Sequence, residues 1–155
     1  MKGQKLMSKS AKPIWLKNRH KTKNLQVGFR CNFNAVRGKN YILNITGATF
    51  YKIYLNGEFI GCGPARAPHG YIRTDELRFN VKDGLNRLAV EVAGYNCPSF
   101  YTLKIESFLY AEVTYDNVPI AYTGKDFSVL SLEKNAEYLC TPLFISKNLC
   151  RDLAS

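Results

Sequence analysis

Apolar and polar residues alternate with a period of two along most of the chain between positions 25 and 132. In 25–33, Val27, Phe29, Cys31 and Phe33 share one face and Gly28, Arg30 and Asn32 the other, as in a half-buried antiparallel strand. Tyr41, Leu43 and Ile45 repeat the pattern, then Tyr51, Ile53 and Leu55 against Lys52 and Tyr54. Further strands are predicted at 77–81 (Leu77, Phe79 and Val81 inward), 86–93 (Leu88, Val90 and Val92 inward), 101–105 (Tyr101, Leu103 and Ile105), 109–115, 118–123 and, more weakly, 127–132. Turn signals separate them at 36–40, Gly47, 82–84 and Asp116-Asn117. No stretch before residue 133 sustains a 3.6 period, so the pattern predicts an all-β, antiparallel β-sandwich over residues 13–132.

The chain is organised around 51–75. Asn56-Gly57 is a strong hairpin signal, because a type I′ turn needs positive φ at both central residues. Glu58, Phe59 and Ile60 begin the return strand. Gly61, Gly63, Pro64, Pro68 and Gly70 then read as a break in regular structure that carries Arg66, His69, Tyr71, Arg73 and Asp75. A second polar and aromatic loop runs from Gly94 through Tyr95, Asn96 and Cys97 to Ser99. One strand up at 77–81 and one down at 86–93 bring the chain back to the end it left, so both loops are expected on one rim.

The chain has 155 residues, 46% of them hydrophobic and 13% aromatic, enough for one domain with a core of its own. Its net charge of +10 raises the question of a nucleic-acid partner. Much of the excess, however, lies in the first 23 residues, where Lys2, Lys5, Lys9, Lys12, Lys17, Arg19, Lys21 and Lys23 meet no acid. Residues 1–12 therefore read as a disordered basic tail rather than a binding arm, and no nucleic-acid partner is expected. Pro13-Ile14-Trp15-Leu16 reads as an apolar segment docked on a sheet edge. No apolar run approaches the length of a membrane-spanning helix, and no membrane partner is expected. The N-terminal stretch has positive charge but no apolar signal-peptide region, and the compartment stays open. Residues 133–155 carry neither alternation nor a helical stripe and form a C-terminal extension of uncertain structure.

Little in the sequence supports catalysis. The five cysteines (31, 62, 97, 140 and 150) include no C-x-x-C pair, so neither a metal site nor a cofactor is expected. The odd count leaves at least one thiol unpaired, and Cys31 falls on an apolar face as a small hydrophobe. Asp75, Glu76 and Glu91 are the nearest approach to paired carboxylates, but adjacent residues of a strand point to opposite faces, and these read as solvated strand-end charges. A triad of Ser99, His69 and Asp75 lacks a nucleophile elbow, and Cys62 with His69 has no supporting motif. Gly61-x-Gly63 opens no helix and cradles no phosphate. Binding chemistry is better supplied: Tyr71, Tyr95 and His69 offer flat faces for a sugar ring, and Arg66, Arg73 and Asn96 offer directed hydrogen bonds. The alternative is structural, with the tyrosines capping the sandwich and Arg66 or Arg73 pairing with Asp75 to fix the loop.

The stretches YLNGEFIGCGPARAPHGYIRTD and LNRLAVEVAGYNCPSFY, with PIWL and VGFRCNF before them, resemble the N-terminal β-sandwich region of bacterial α-L-rhamnosidases. The match spans about residues 13–128, and the strand skeleton is also similar to the sugar-binding domains of β-galactosidases and β-glucuronidases. The resemblance implies a jelly-roll, galactose-binding-domain-like fold and a non-catalytic accessory module in a glycoside hydrolase. The bond-cleaving acids of that family lie in a separate helical barrel downstream. It further implies a catalytic module of the parent enzyme as partner, rhamnose-containing glycans as candidate ligands, and a parent often exported or periplasmic. Contact with sugar or with the neighbouring module would fall to Arg66, His69, Tyr71, Arg73, Tyr95 and Asn96. An autonomous carbohydrate-binding module is the rival reading.

Overall fold

The computed structural model describes residues 10–65, 67–68, 71–98 and 104–132. The sequence readings for the 1–9 part of the tail, for Tyr101 and Leu103, and for 133–155 lie outside the described residues. Among the described residues nine strands form two antiparallel sheets, and there is no helix. One sheet has five strands in the order β4 (Glu58–Gly63), β3 (Phe50–Leu55), β6 (Gly84–Gly94), β1 (Leu25–Ala35) and β9 (Ser128–Ser131). The other has four, in the order β5 (Asp75–Phe79), β2 (Tyr41–Gly47), β7 (Leu109–Tyr115) and β8 (Val118–Tyr122). The architecture is an antiparallel jelly-roll β-sandwich.

The alternation read from the sequence is the one that builds the core. Val27, Phe29, Leu43, Ile45, Leu88, Val90, Val92, Leu109 and Val113 are all fully buried between the sheets. The longest pairing, β1 with β6, runs in unbroken register from Leu25 opposite Gly94 to Ala35 opposite Gly84. Phe33, Tyr41, Phe79 and Tyr115 close one end of the sandwich, with ring centroids 5.2–6.5 Å apart. The apolar segment at the start of the chain docks on an edge: Ile14 bridges Leu109, and the Trp15 ring lies 5.7 Å from that of Phe29. The chain already follows this edge at Ala11, which is buried, and at Lys12, whose backbone N–H donates to the Thr123 carbonyl at 2.9 Å.

Four expectations need correcting. Gly61 and Gly63 do not break the return strand but lie within β4. Both face the core, where a Cβ at Gly61 would make ordinary contact with Leu77 but one at Gly63 would collide with Tyr51 and Asp75. Glycine at 63 is therefore required by close approach, not by a turn. Ile105 lies in no strand and is 37% exposed; 104–108 is instead tied to the 16–24 loop, Ser107 N–H donating to the His20 carbonyl. The strands β5 and β6 do not pair with each other, because the turn at 80–83 carries the chain from one sheet to the other. Finally, Glu91, on the outer face of the five-stranded sheet, is not a solvated charge but 8% exposed.

The hairpin at 51–63 turns as its sequence dictates, with φ of 52° at Asn56 and 87° at Gly57. Asn56 also stitches the turn to β6: its Oδ1 accepts from Arg87 N–H at 3.0 Å and its Nδ2 donates to Asn86 Oδ1 at 3.0 Å. Asn86 is fully buried and holds the preceding turn as well, accepting from Lys82 N–H and donating to the carbonyls of Lys82 and Gly84. Gly57→Val is expected to cost on the order of 1 kcal/mol or more through φ alone, since a Cβ there meets nothing within 4 Å. Gly57→Asn should cost less, because asparagine tolerates the left-handed region. Asn86→Leu should cost more, on the order of 3 kcal/mol, by orphaning the buried groups of the 82–84 turn. Urea denaturation of the three variants checks this order.

Candidate functional site

Register places the two polar loops together. Tyr51 pairs with Gly63 on one side and with Val92 on the other, and Asp75 pairs with Ile45 near the end of β2. The 64–74 loop, the 95–98 loop and the 48–49 crossover therefore leave the sandwich at one end. The shared rim expected from the sequence is present, although the two intervening strands sit in opposite sheets.

A buried tyrosine ties this rim together. Tyr51 belongs to the five-stranded sheet and is 2% exposed, and its hydroxyl donates to Asp75 Oδ2, at the start of β5 in the other sheet, at 2.5 Å. Burial, then the bonded and nearby Asp75 carboxylate, raise the Tyr51 pKa well above the usual phenol range. Asp75 Oδ1 accepts from Arg73 Nε at 3.2 Å. The internal pairing of Arg73 with Asp75, one of the two roles open from the sequence, is thus formed. Arg73 is mostly exposed, so its guanidinium still faces solvent along the rim. Glycine at position 63 makes the arrangement fit: a Cβ there would lie 2.5 Å from both Asp75 Oδ2 and the Tyr51 hydroxyl.

Of the six residues singled out from the sequence, Arg66 and His69 lie outside the described residues. Tyr71 is 61% exposed and its neighbour Ile72 59%. Tyr95 is half-buried; its ring meets that of Phe50 edge-on at 6.2 Å, and its backbone carbonyl accepts from Asn24 N–H. Asn96 is 6% exposed with φ of 46°, the left-handed conformation asparagine tolerates. Its place is in turning the loop beneath the surface. Phe50, 50% exposed at the start of β3, was not singled out. Its outward position followed from the alternation with Tyr51, but an isolated aromatic on the polar face carries no motif.

Asp75 is engaged by Tyr51 and Arg73, and Glu76 is its exposed neighbour in β5. Among the described residues no group of three or more His, Cys, Asp or Glu side chains could hold a metal ion, and no helix is long and apolar enough to cross a membrane. Cys31 is buried in the core, where desolvation, with a smaller contribution from Asp126, raises its pKa from 9.0 to about 12. Cys62 is exposed and Cys97 partly so.

The fold and rim define a β-sandwich module, and comparison with known proteins gives it a setting. No family model matches the chain, and a search of curated proteins returns no match. Among solved structures, the GH78 family rhamnosidase of Bacillus sp. GL1 superposes with a TM-score of 0.71 at 26% identity, covering 79% of this chain. The chain spans only 13% of the length of that enzyme, so the likeness is to one domain of it. The α-L-rhamnosidase of Streptomyces avermitilis, solved with L-rhamnose, covers 89% of this chain at a TM-score of 0.57 and 13% identity. The Pleurotus ostreatus lectin, solved with GalNAc, covers 77% at 0.57 and 16%. These two share the fold. The chain is similar to a β-sandwich domain of GH78 α-L-rhamnosidases.

Two measurements probe the rim and core. Gly63→Ala is expected to break the Tyr51–Asp75 contact and cost about 1–3 kcal/mol by overpacking, whereas Gly38→Ala, at an open turn, should cost only its backbone strain. Equal losses in both variants would contradict the close approach at Gly63. Tyr51 and Cys31 both hold their protons to higher pH when folded, so the stability they contribute is complete below their unfolded pKa and lost as pH rises above it. Unfolding free energy is expected to decline above about pH 9, by about 1.4 kcal/mol per pH unit for each group that has passed its unfolded pKa. In Cys31→Ala the decline should start about one pH unit later, which urea titrations under reducing conditions would detect.

Proposed function

We propose that this chain is an accessory module of an α-L-rhamnosidase-like glycoside hydrolase, non-catalytic in itself, that packs on the catalytic module of its parent and shapes the edge of the substrate cleft. The observation that carries the reading is the match to one domain of the Bacillus rhamnosidase, which covers most of this chain and a small share of that enzyme. The rim supports it. Tyr71, Ile72 and Phe50 expose apolar surface at the end of a rigid sandwich, beside the exposed guanidinium of Arg73. Aromatic and arginine side chains around a polar margin are the composition of a protein interface. In this reading Tyr71, Arg73 and Tyr95 make the contact, together with Arg66 and His69 of the same loop, and Asn96 supports them from below. Rhamnose-containing glycans are the candidate ligands at the margin of that contact.

The test uses the Bacillus enzyme with its matching domain deleted. The full chain added to that core is expected to co-migrate with it in size-exclusion chromatography, and Tyr71→Ala combined with Ile72→Ser should abolish the association without lowering the chain's melting temperature. The chain alone should release no aryl alcohol from an aryl α-L-rhamnoside. Turnover that survives repurification and vanishes on mutating Asp75 or Glu91 would overturn the proposal, as would an unaltered association in the double variant.

A further inference from the structure

Several of the basic residues near the start of the chain stand on the folded domain. The 17–24 loop feeds β1, whose first residue, Leu25, pairs with Gly94, so the loop lies at the same end of the sandwich as the 64–74 and 95–98 loops. Two successive turns shape it, Arg19 N–H donating to the Leu16 carbonyl at 3.1 Å and Thr22 N–H to the Arg19 carbonyl at 3.0 Å. Two further backbone bonds tie it to the domain: Ser107 N–H donates to the His20 carbonyl at 2.8 Å, and Asn24 N–H to the Tyr95 carbonyl at 3.2 Å. Trp15, with its ring 5.7 Å from that of Phe29, anchors the chain just before the loop.

This short loop holds Lys17, Arg19, Lys21 and Lys23, and Lys104 begins the 104–108 segment to which it is tied. The four lysines are exposed. The one acid in these two segments is Glu106, whose carboxylate lies 3.4 Å from Lys21 Nζ and 3.8 Å from His20 Nε2. That contact is itself open to solvent and offsets little of the charge. The bonds that shape the loop run from backbone to backbone, so lysine at 17 and 23 is not what holds its form. Like charges gathered on one short loop repel each other, and an anionic partner relieves that repulsion.

We propose that the 17–24 loop is a binding surface for an acidic glycan, a polymer whose sugar rings carry carboxylates. Lysine ammoniums are point charges without the fixed fork of arginine, which suits carboxylates strung along a flexible chain. Asn24, at the end of the loop, bonds to Tyr95, whose ring meets the half-exposed ring of Phe50 edge-on at 6.2 Å. Beside the lysines, then, Phe50 offers an apolar face to the C–H side of a sugar, which favours a glycan over a nucleic-acid duplex, whose bases are stacked inside. Lys17, Lys23 and Lys104 pair with carboxylates of the polymer, and Phe50 packs on one of its rings. The choice of a sugar polymer rests in part on the glycoside-hydrolase reading; the demand for negative charge does not.

The experiment titrates an oligogalacturonate of about ten units into the full chain by calorimetry, at about 50 and about 200 mM salt. A neutral maltooligosaccharide of the same length and an oligothymidylate of the same charge are titrated alongside. Saturable binding to the uronate is expected, weaker at the higher salt, with none to the neutral sugar. Lys17→Gln combined with Lys23→Gln should weaken it about tenfold. Phe50→Ala should weaken it severalfold, and Lys2→Gln, Lys5→Gln and Lys9→Gln together should leave it unchanged. The replaced lysines of the loop are exposed, so melting temperatures should match that of the parent chain. Absence of binding, an equal loss in the tail variant, undiminished binding in the loop variant, or tighter binding to the oligothymidylate would each overturn the proposal. A chain that docks on the catalytic core yet ignores the uronate overturns this inference alone; uronate binding that depends on Lys17 and Lys23, without docking, supports it and counts against the accessory role.

Discussion

The hydrogen bond from the Tyr51 hydroxyl to Asp75 joins the two sheets at their loop-bearing end. Through the core the sheets are held to each other by apolar contact, which resists separation but is not directional. At this end a single buried phenol reaches across to a carboxylate at the first residue of the opposing strand. The geometry demands glycine at position 63, because no Cβ fits between the two groups. It also explains why Arg73 is held near the surface: Asp75 keeps one oxygen for Tyr51 and offers the other to the guanidinium. Loop position and sandwich closure are therefore set by the same few atoms.

The opposite end is built differently. There a cluster of four aromatic rings closes the core, and Asn86 holds the 82–84 turn and the hairpin turn at 56–57 to each other. Between the two ends the β1–β6 ladder supplies the longest uninterrupted pairing. The result is a rigid body with one end sealed by rings and asparagine bonds and the other carrying the loops, an arrangement that lets loop residues serve contact without destabilising the fold.

How much of this could be read from the residues follows from what each feature depends on. The strands were legible because burial on one face writes a period of two into the sequence, and the 56–57 turn because positive φ restricts residue choice. The docked segment around Trp15 was legible because a short apolar run at an otherwise polar end has to bury itself. The extension of β4 through Gly61 and Gly63 was not, since a glycine inside a strand, required at 63 by close approach, has the same letter as a glycine in a turn. Nor was the separation of β5 from β6 into different sheets: a short turn such as 80–83 serves a hairpin or a crossover equally well. The rim was placed correctly despite that misassignment, because one strand up and one strand down return the chain to the same end in either topology. The burial of Asn96 and of Glu91 was hidden for another reason. A polar residue in a loop, or on the outer face of a strand, is ordinarily solvated, and only three-dimensional packing reveals the exception.

The cross-sheet tie is the claim on which the rim depends most, and a double-mutant cycle at Tyr51 and Asp75 tests it most directly. Tyr51→Phe, Asp75→Asn and the double variant would be compared with the parent chain by equilibrium urea denaturation at neutral pH. The tie requires a coupling energy on the order of 1–3 kcal/mol between the two positions, as found for residues sharing a buried hydrogen bond. Additive losses, with coupling of about 0.3 kcal/mol or less, would mean that the two sheets close without this bond and would contradict the account.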